Sequence, residues 1–340
     1  MLLILICALL AGAFVWFAPC GPSTETFVEI APGTSSRQIA RQLEKQHLIW
    51  SRYAFDALRF EKHGTLKAGE YRFDHPARIA EVYDRLRRGD VYTIGVTIPE
   101  GSNLFDIAQR VQAANLGPGA AFLKAARSDV ALIKDLDPTA TTLEGYLFPD
   151  TYHFPRIARP DQMVAAMVKR FRVSAAQTGL PAASAHRVVT LASLIERETP
   201  IASERPTVAS VFVNRLARGM PLMTDPSVIY AALLDGRYRG TIYASDLASD
   251  SPYNTYKHSG LPPGPICNPG LASLKAAMSP ATTDFLYFVA ATADPSGHSR
   301  FSSTLEEHDA NVQAYRQSER ERHAAAAGQG AGRPALRGHQ

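Results

Sequence analysis

Two glutamates close an apolar, helix-forming run. Over residues 184–198, Val188, Val189, Leu191, Ala192, Leu194 and Ile195 leave no polar face, so this helix is predicted to be buried. It ends in Glu196-Arg197-Glu198. Desolvation disfavours the charged form of a carboxyl group that emerges from a buried turn. Such a group can stay protonated near neutral pH and act as a general acid. The two side chains point about 200° apart: Glu196 stacks over Val189, Ala192 and Ser193, and Glu198 over Arg187, Leu191 and Leu194. Periodicity does not choose between them, and a solvated helix end is the plain alternative for both. A second group of residues suits sugar. Tyr253-Asn254-Thr255-Tyr256 is followed by Gly260-Leu-Pro-Pro-Gly-Pro-Ile266, a rigid, irregular stretch of the kind that frames clefts. Tyrosine rings stack on the apolar face of a pyranose, and an asparagine amide bonds hydroxyl and acetamido groups. The competing reading is a proline-rich connector.

The chain around these groups has 340 residues, 36 Lys+Arg against 32 Asp+Glu, and a mean hydropathy of −0.12. That composition excludes general disorder and a strongly basic nucleic-acid surface, so no nucleic-acid partner is expected. Three cysteines make no disulfide framework. Neither they nor the ten histidines have zinc-ligand spacing, so no metal and no cofactor are expected.

Helices are predicted within 34–46, 50–60, 77–89, 161–178, 184–198, 206–219, 226–234 and 269–278, most with a visible start or stop residue. Asp225-Pro226 and Asn268-Pro269 read as caps. Ser303-x-x-Glu306 reads as a capping box that opens a last helix to about Arg320. Strands are predicted at 27–31, 68–73 and 285–291, with a partner for the last at 298–302 across a turn containing Gly297. Residues 143–154 read as a structured loop, and the tail 321–340 as disordered. Strands and helices without a βαβ rhythm give an α+β fold.

The first 24 residues carry no charged side chain, and 1–18 are almost wholly apolar. A helix of 18 residues is about 27 Å long, near the lower limit for a membrane span. The favoured reading is a single-pass anchor over 1–18. A cleaved signal peptide and a lipid-modified Cys20 are the alternatives. No Lys or Arg precedes the run, so charge does not orient it.

The stretch from Val28 to Ala40 is echoed 68 residues later from Val96 to Ala108, with identities at 28/96, 30/98, 33/101, 39/107 and 40/108. Both copies read strand, glycine turn, capped helix. They resemble the sugar-binding LysM module, which gives a LysM-like unit over 27–93 and a second unit of this kind over 94–140.

Many short motifs recur in the order found in one family. They are Leu143-Glu-Gly-Tyr-Leu-Phe-Pro-Asp-Thr-Tyr152, Leu191-Ala-Ser-Leu-Ile-Glu-Arg-Glu-Thr199, Ala202-Ser-Glu-Arg205, Val208-Ala-Ser-Val-Phe-Val-Asn-Arg-Leu216, Thr224-Asp-Pro-Ser-Val-Ile-Tyr230, Tyr253-Asn-Thr-Tyr256, Gly260-Leu-Pro-Pro-Gly264 and Asn268-Pro-Gly270. Together they resemble the YceG-like (MltG) endolytic murein transglycosylases from about Phe27 to Arg320. The resemblance implies a catalytic domain over 94–320 and a lyase that cuts the bond between N-acetylmuramic acid and N-acetylglucosamine in nascent peptidoglycan strands. The product would end in a 1,6-anhydro sugar. It also implies Glu196, the first of the Glu-x-Glu pair, as the catalytic residue. Tyr253, Asn254, Tyr256 and Thr224 would be substrate contacts. The setting implied is the bacterial inner membrane with the catalytic domain in the periplasm, beside peptidoglycan synthases. A hydrolytic muramidase and a silent peptidoglycan-binding scaffold are the competing functions. One departure stands inside the motifs: many members have Gln before Thr-Asp-Pro, where this chain has Met223.

Overall fold

A computed structural model describes residues 1–292 and 297–331. The chain divides into two compact units. One comprises Met1–Val96, Ala114–Leu116 and Tyr152–Ala158; the other comprises Thr97–Ala113, Gly117–Thr151 and Arg159–Gln340.

In the first unit, strands β1 (Thr26–Ile30) and β2 (Gly69–Phe73) pair antiparallel with Val28 opposite Tyr71. Helices α2 (Ser36–Lys45) and α3 (Arg52–Lys62) lie between them in sequence, and α4 (Ile79–Arg88) follows. Local chemistry sets these limits. Ser35 and Gln38 exchange a capping box at the start of α2, and α4 stops at Gly89, which is left-handed at φ 78°. Val28, Ile39, Leu43, Phe55, Tyr71 and Tyr83 form the core of this unit. The segment preceding β1 is α1 (Leu2–Phe17), 16 residues or about 24 Å long. Its apolar side chains are largely exposed, while Trp16 packs on the core and the Phe14 ring lies 5.2 Å from Trp50. Among the described residues, no helix is both long and apolar enough to cross a membrane. Cys7, Cys20 and Cys267 are free thiols.

Strand β3 (Ile94–Thr97) pairs with β4 (Thr151–Phe154), so the end of the expected loop at 143–154 is a short strand. In the second unit, α5 (Leu104–Ala113) and α6 (Gly119–Ser128) lead to the long α7 (Pro160–Thr178), which ends at left-handed Gly179. At its centre is α8 (Ala185–Glu198), buried from Val188 to Ile195. It packs against α9 (Arg205–Ala217), α10 (Asp225–Leu234) and α12 (Leu271–Met278), with the single-turn α11 (Ala244–Leu247) between the last two in sequence. Strands β5 (Tyr287–Ala290) and β6 (Ser299–Ser302) form an antiparallel pair covered by α13 (Leu305–Ala331). The mixed α+β architecture is as expected.

Three local expectations shift. The box that opens α13 is Thr304 with Glu307, not Ser303 with Glu306: Glu307 N–H donates to Thr304 Oγ1, and Thr304 N–H to the Glu307 carboxylate. Asn268 does not cap α12, where Gly270 holds the cap position; its amide is used elsewhere, as described below. Helix α13 continues to Ala331, beyond the expected end at Arg320, and residues 332–340 lie outside the described residues.

Candidate active site

The two glutamates at the end of α8 occupy different surroundings. The Glu196 side chain is 4% exposed and both of its oxygens are engaged. Oε1 accepts from Arg205 Nη2 at 2.8 Å, and Oε2 from the Gly270 N–H at 2.9 Å. Burial pushes its pKa up, while the Gly270 N–H and the Arg205 charge oppose that rise. Both donors require an acceptor, so the arrangement suits a carboxylate and leaves no free oxygen to present a proton. Arg205 is 7% exposed, and its Nη1 lies 3.5 Å from Glu100, which is half exposed. A Cβ at Gly270 would fall 1.9 Å from Glu100 Oε1, so the half-exposed Glu100 side chain would have to swing away from Arg205 to admit a larger residue.

Glu198 faces a cavity of about 550 Å³ on another side of α8. Phe212, Leu222, Tyr287, Phe288 and Leu305 give it apolar walls, and Arg215, Thr224, Asp225, Tyr256 and His308 contribute polar groups. Among the described residues, neither oxygen of Glu198 has a hydrogen-bond or ion-pair partner. Burial, and then the Asp225 charge, push its pKa up to about 7; Arg215 and Arg197 pull against them. A carboxyl group of that kind is half protonated near neutral pH and free to give the proton up.

The guanidinium of Arg215 is fixed beside it. Arg215 donates to the carbonyls of Leu286 at 2.7 Å and Leu222 at 2.9 Å and lies over the Tyr287 ring. His308 stacks on the same Tyr287 ring at 5.1 Å, and burial lowers its pKa.

The residues expected to contact substrate separate into two groups. Thr224 and Tyr256 line the cavity with Glu198. Thr224 is buried at the cap position of α10, where it meets Thr255 Oγ1, and the Tyr256 hydroxyl donates to Asp225 Oδ1 at 2.6 Å. Tyr253 and Asn254 do not line it. Asn254 is fully buried, its amide donating to the Leu247 and Ser249 carbonyls and accepting from the Tyr256 N–H. Its work is to shape the loop that presents Tyr256. Tyr253 packs edge-on against Tyr230 at 5.1 Å, and burial raises its pKa to about 12. Met223 stands at the cavity lip, half exposed, in a left-handed conformation at φ 55°.

A further carboxylate escaped sequence reasoning. Glu144 is 2% exposed, and burial raises its pKa to about 8. It accepts from the Leu104 N–H and from Asn268 Nδ2, while Asn268 also donates to the Ser102 carbonyl and accepts from the Leu147 N–H. This network ties the loop before α12 to the start of α5. Its signal in the sequence is Glu144-Gly145: the glycine sits at φ 87°, and a Cβ there would lie 2.5 Å from Pro265. The Glu144 oxygens are committed to these bonds, so the residue holds structure.

Comparison with known proteins places this geometry in a family. The model of the YceG-like family matches residues 28–314. The chain is 34% identical to a Bacillus subtilis protein named endolytic murein transglycosylase, covering 92% of this chain and 93% of that one. It is 30% identical to the Streptococcus pneumoniae protein of the same name, over 84% of this chain but 57% of that one. A crystal structure of a putative yceG-like protein from Listeria monocytogenes superposes with a TM-score of 0.54 at 34% identity, covering 85% of this chain and 99% of that one. The match extends through both units and includes every residue of the cavity, and the chain therefore belongs to the YceG-like family.

Proposed function

We propose that the protein is an endolytic murein transglycosylase that uses Glu198 as its acid and then its base. The observation that carries the reading is an unpaired carboxyl group with a pKa near 7 on the wall of a cavity large enough for a sugar. A hydrolytic glycosidase needs a second carboxyl group to activate water or to attack the sugar. An intramolecular transfer does not. The Glu198 proton passes to the glycosidic oxygen as the bond to the muramic C1 breaks and its electron pair moves to that oxygen. The sugar's own C6 hydroxyl oxygen then bonds to C1, and its proton returns to Glu198. The product carries a 1,6-anhydro ring, and no water is consumed. Glu196, the residue implied by family resemblance, becomes in this reading a positioning residue that fixes the end of α8 through Arg205 and Gly270.

Product analysis on uncrosslinked glycan strands tests the reaction. The expected ends are one water lighter than reducing ends and take up no label from oxygen-18 water. Labelled reducing ends would identify a muramidase, and uncut strands a binding scaffold.

Two further parts of the proposal concern the first unit. Its β–α–α–β order and the turn at Gly33 support a LysM-like module that holds glycan strands. Exposed Phe60 rims a cavity of about 350 Å³ there, lined by Arg37, Arg59 and His63. The exposed, uncharged surface of α1 supports insertion in the cell membrane, with the catalytic unit on the outer side beside the synthases that make the strands. Flotation with lipid vesicles should fall at least tenfold when residues 2–13 are deleted, and co-sedimentation with insoluble strands should weaken about threefold in Phe60→Ala. Unchanged flotation would remove the anchor, and unchanged sedimentation the sugar groove.

A further inference from the structure

We propose that Asp225 is a second catalytic group of the Glu198 cavity, a fixed anion that faces the reacting sugar and stabilises positive charge at C1 without exchanging a proton. This rests on Glu198 as the acid.

Several observations meet at this carboxylate. Asp225 lines the same cavity as Glu198 but comes from a different element, the first turn of α10. Its Oδ1 accepts from the Tyr256 hydroxyl at 2.6 Å, and Oδ2 has no partner among the described residues. The Tyr256 hydroxyl fixes the direction of the Asp225 carboxyl group through that bond. The group is therefore oriented, with one oxygen left open.

Bond breaking supplies the need for it. As the glycosidic bond opens, its electron pair leaves with the oxygen that takes the Glu198 proton, and C1 becomes electron-poor. Glu198 has just become an anion, but it must stay available to take the proton from the C6 hydroxyl. A second anion that is neither acid nor base can hold the charge through both steps. Asp225 keeps its charge throughout, and no bond to it forms.

The same pair explains how Glu198 is poised. The groups facing Glu198 are Asp225 on α10, Arg215 on α9, Tyr256 on its loop, Tyr287 on β5, His308 on α13 and the neighbouring Arg197. Of these, Asp225 pushes the Glu198 pKa up, while Arg215 and Arg197 pull it down. Removing Asp225 should therefore make Glu198 lose its proton at lower pH. Any loss of that charge moves the titration, so the role at C1 is read from kcat on the plateau below the alkaline limb, where Glu198 is protonated in both proteins.

The test is Asp225→Asn in the full chain, acting on uncrosslinked strands across pH. The expected result is a kcat lower by roughly 100-fold with KM changed less than about threefold. The alkaline limb of the kcat profile should move to lower pH, and Asp225→Glu should restore part of the rate. Tyr256→Phe, which frees Asp225 from its partner, should lower kcat by less than about tenfold. A near-normal kcat in Asp225→Asn would overturn the proposal. So would a loss of kcat with an unmoved alkaline limb in the Asn variant or, should that fail to fold, an unchanged kcat in Tyr256→Phe. If Glu198→Gln stays active, the assignment of the acid fails; if Glu198→Gln is dead while Asp225→Asn is unaffected, only the role of Asp225 fails.

Discussion

Glu198→Gln is expected to slow strand cleavage by roughly 10³-fold while raising the melting temperature at pH 8. The first effect follows from the loss of the only proton that cleavage uses, within the range for removal of a general acid. The second follows from linkage. Glu198 has its pKa raised from 4.5 to about 7, so the folded chain binds that proton more tightly than the unfolded chain. Its contribution to stability is then most favourable below about 4.5, declines as pH rises, and reaches its full penalty above about 7. That penalty is on the order of 3 kcal/mol at most, and Gln removes it. A gain of a few °C at pH 8 that vanishes at pH 4 is the expected pattern. The wild-type rate should fall as pH rises through about 7, because the reactive form is the protonated one. Calorimetry at the two pH values with a pH–rate profile decides the matter. Full activity in the variant would sink the assignment.

Glu196→Gln is expected to act in the opposite sense on stability. Among the described residues, the variant leaves Arg205, 7% exposed, with only half-exposed Glu100 at 3.5 Å as an ion-pair partner. Uncoupling a buried pair costs about 3 kcal/mol, or roughly 6–12 °C in melting temperature for a unit of this size. At temperatures where the variant is folded, its kcat should stay within about tenfold of wild type, and its alkaline limb should remain near pH 7 because Glu198 is intact. The two variants thus cross over: one loses chemistry and gains stability, and the other loses stability and keeps most of its chemistry. If the crossover runs the other way, the family-implied Glu196 is the acid after all.

Much of the local structure was legible in the sequence because it is set by neighbours a few residues away. Gly89 and Gly179 end helices because only a left-handed residue closes those turns at low cost, and Ser35 opens one through a bond to its own third residue. The apolar run before Glu196 predicted a buried helix, and the helix is buried. The opposed directions of Glu196 and Glu198 also followed from helix geometry alone. The errors are informative for the same reason. Ser303 and Thr304 compete for one cap, and the register of α13 on β5 and β6 lies beyond a local pattern. Asn268 looked like a cap because it precedes a proline, but its amide serves partners near Ser102, Glu144 and Leu147.

The site divides along the same line. By itself the sequence determined that two carboxyl groups leave a buried helix on different sides, that Thr224 and Tyr256 belong to motifs of one family, and that the chain is an α+β protein. It could not determine which carboxyl group meets a cavity, because a cavity is made by whatever packs opposite. Tertiary structure decided that: the start of α12 brings the Gly270 N–H, and α9 brings Arg205, onto Glu196, while α9, α10, β5 and α13 surround Glu198 and leave about 550 Å³ between them. Covered by donors, one glutamate has both oxygens occupied; facing an apolar space beside another anion, its neighbour two residues on is held near the pH where it can give its proton away.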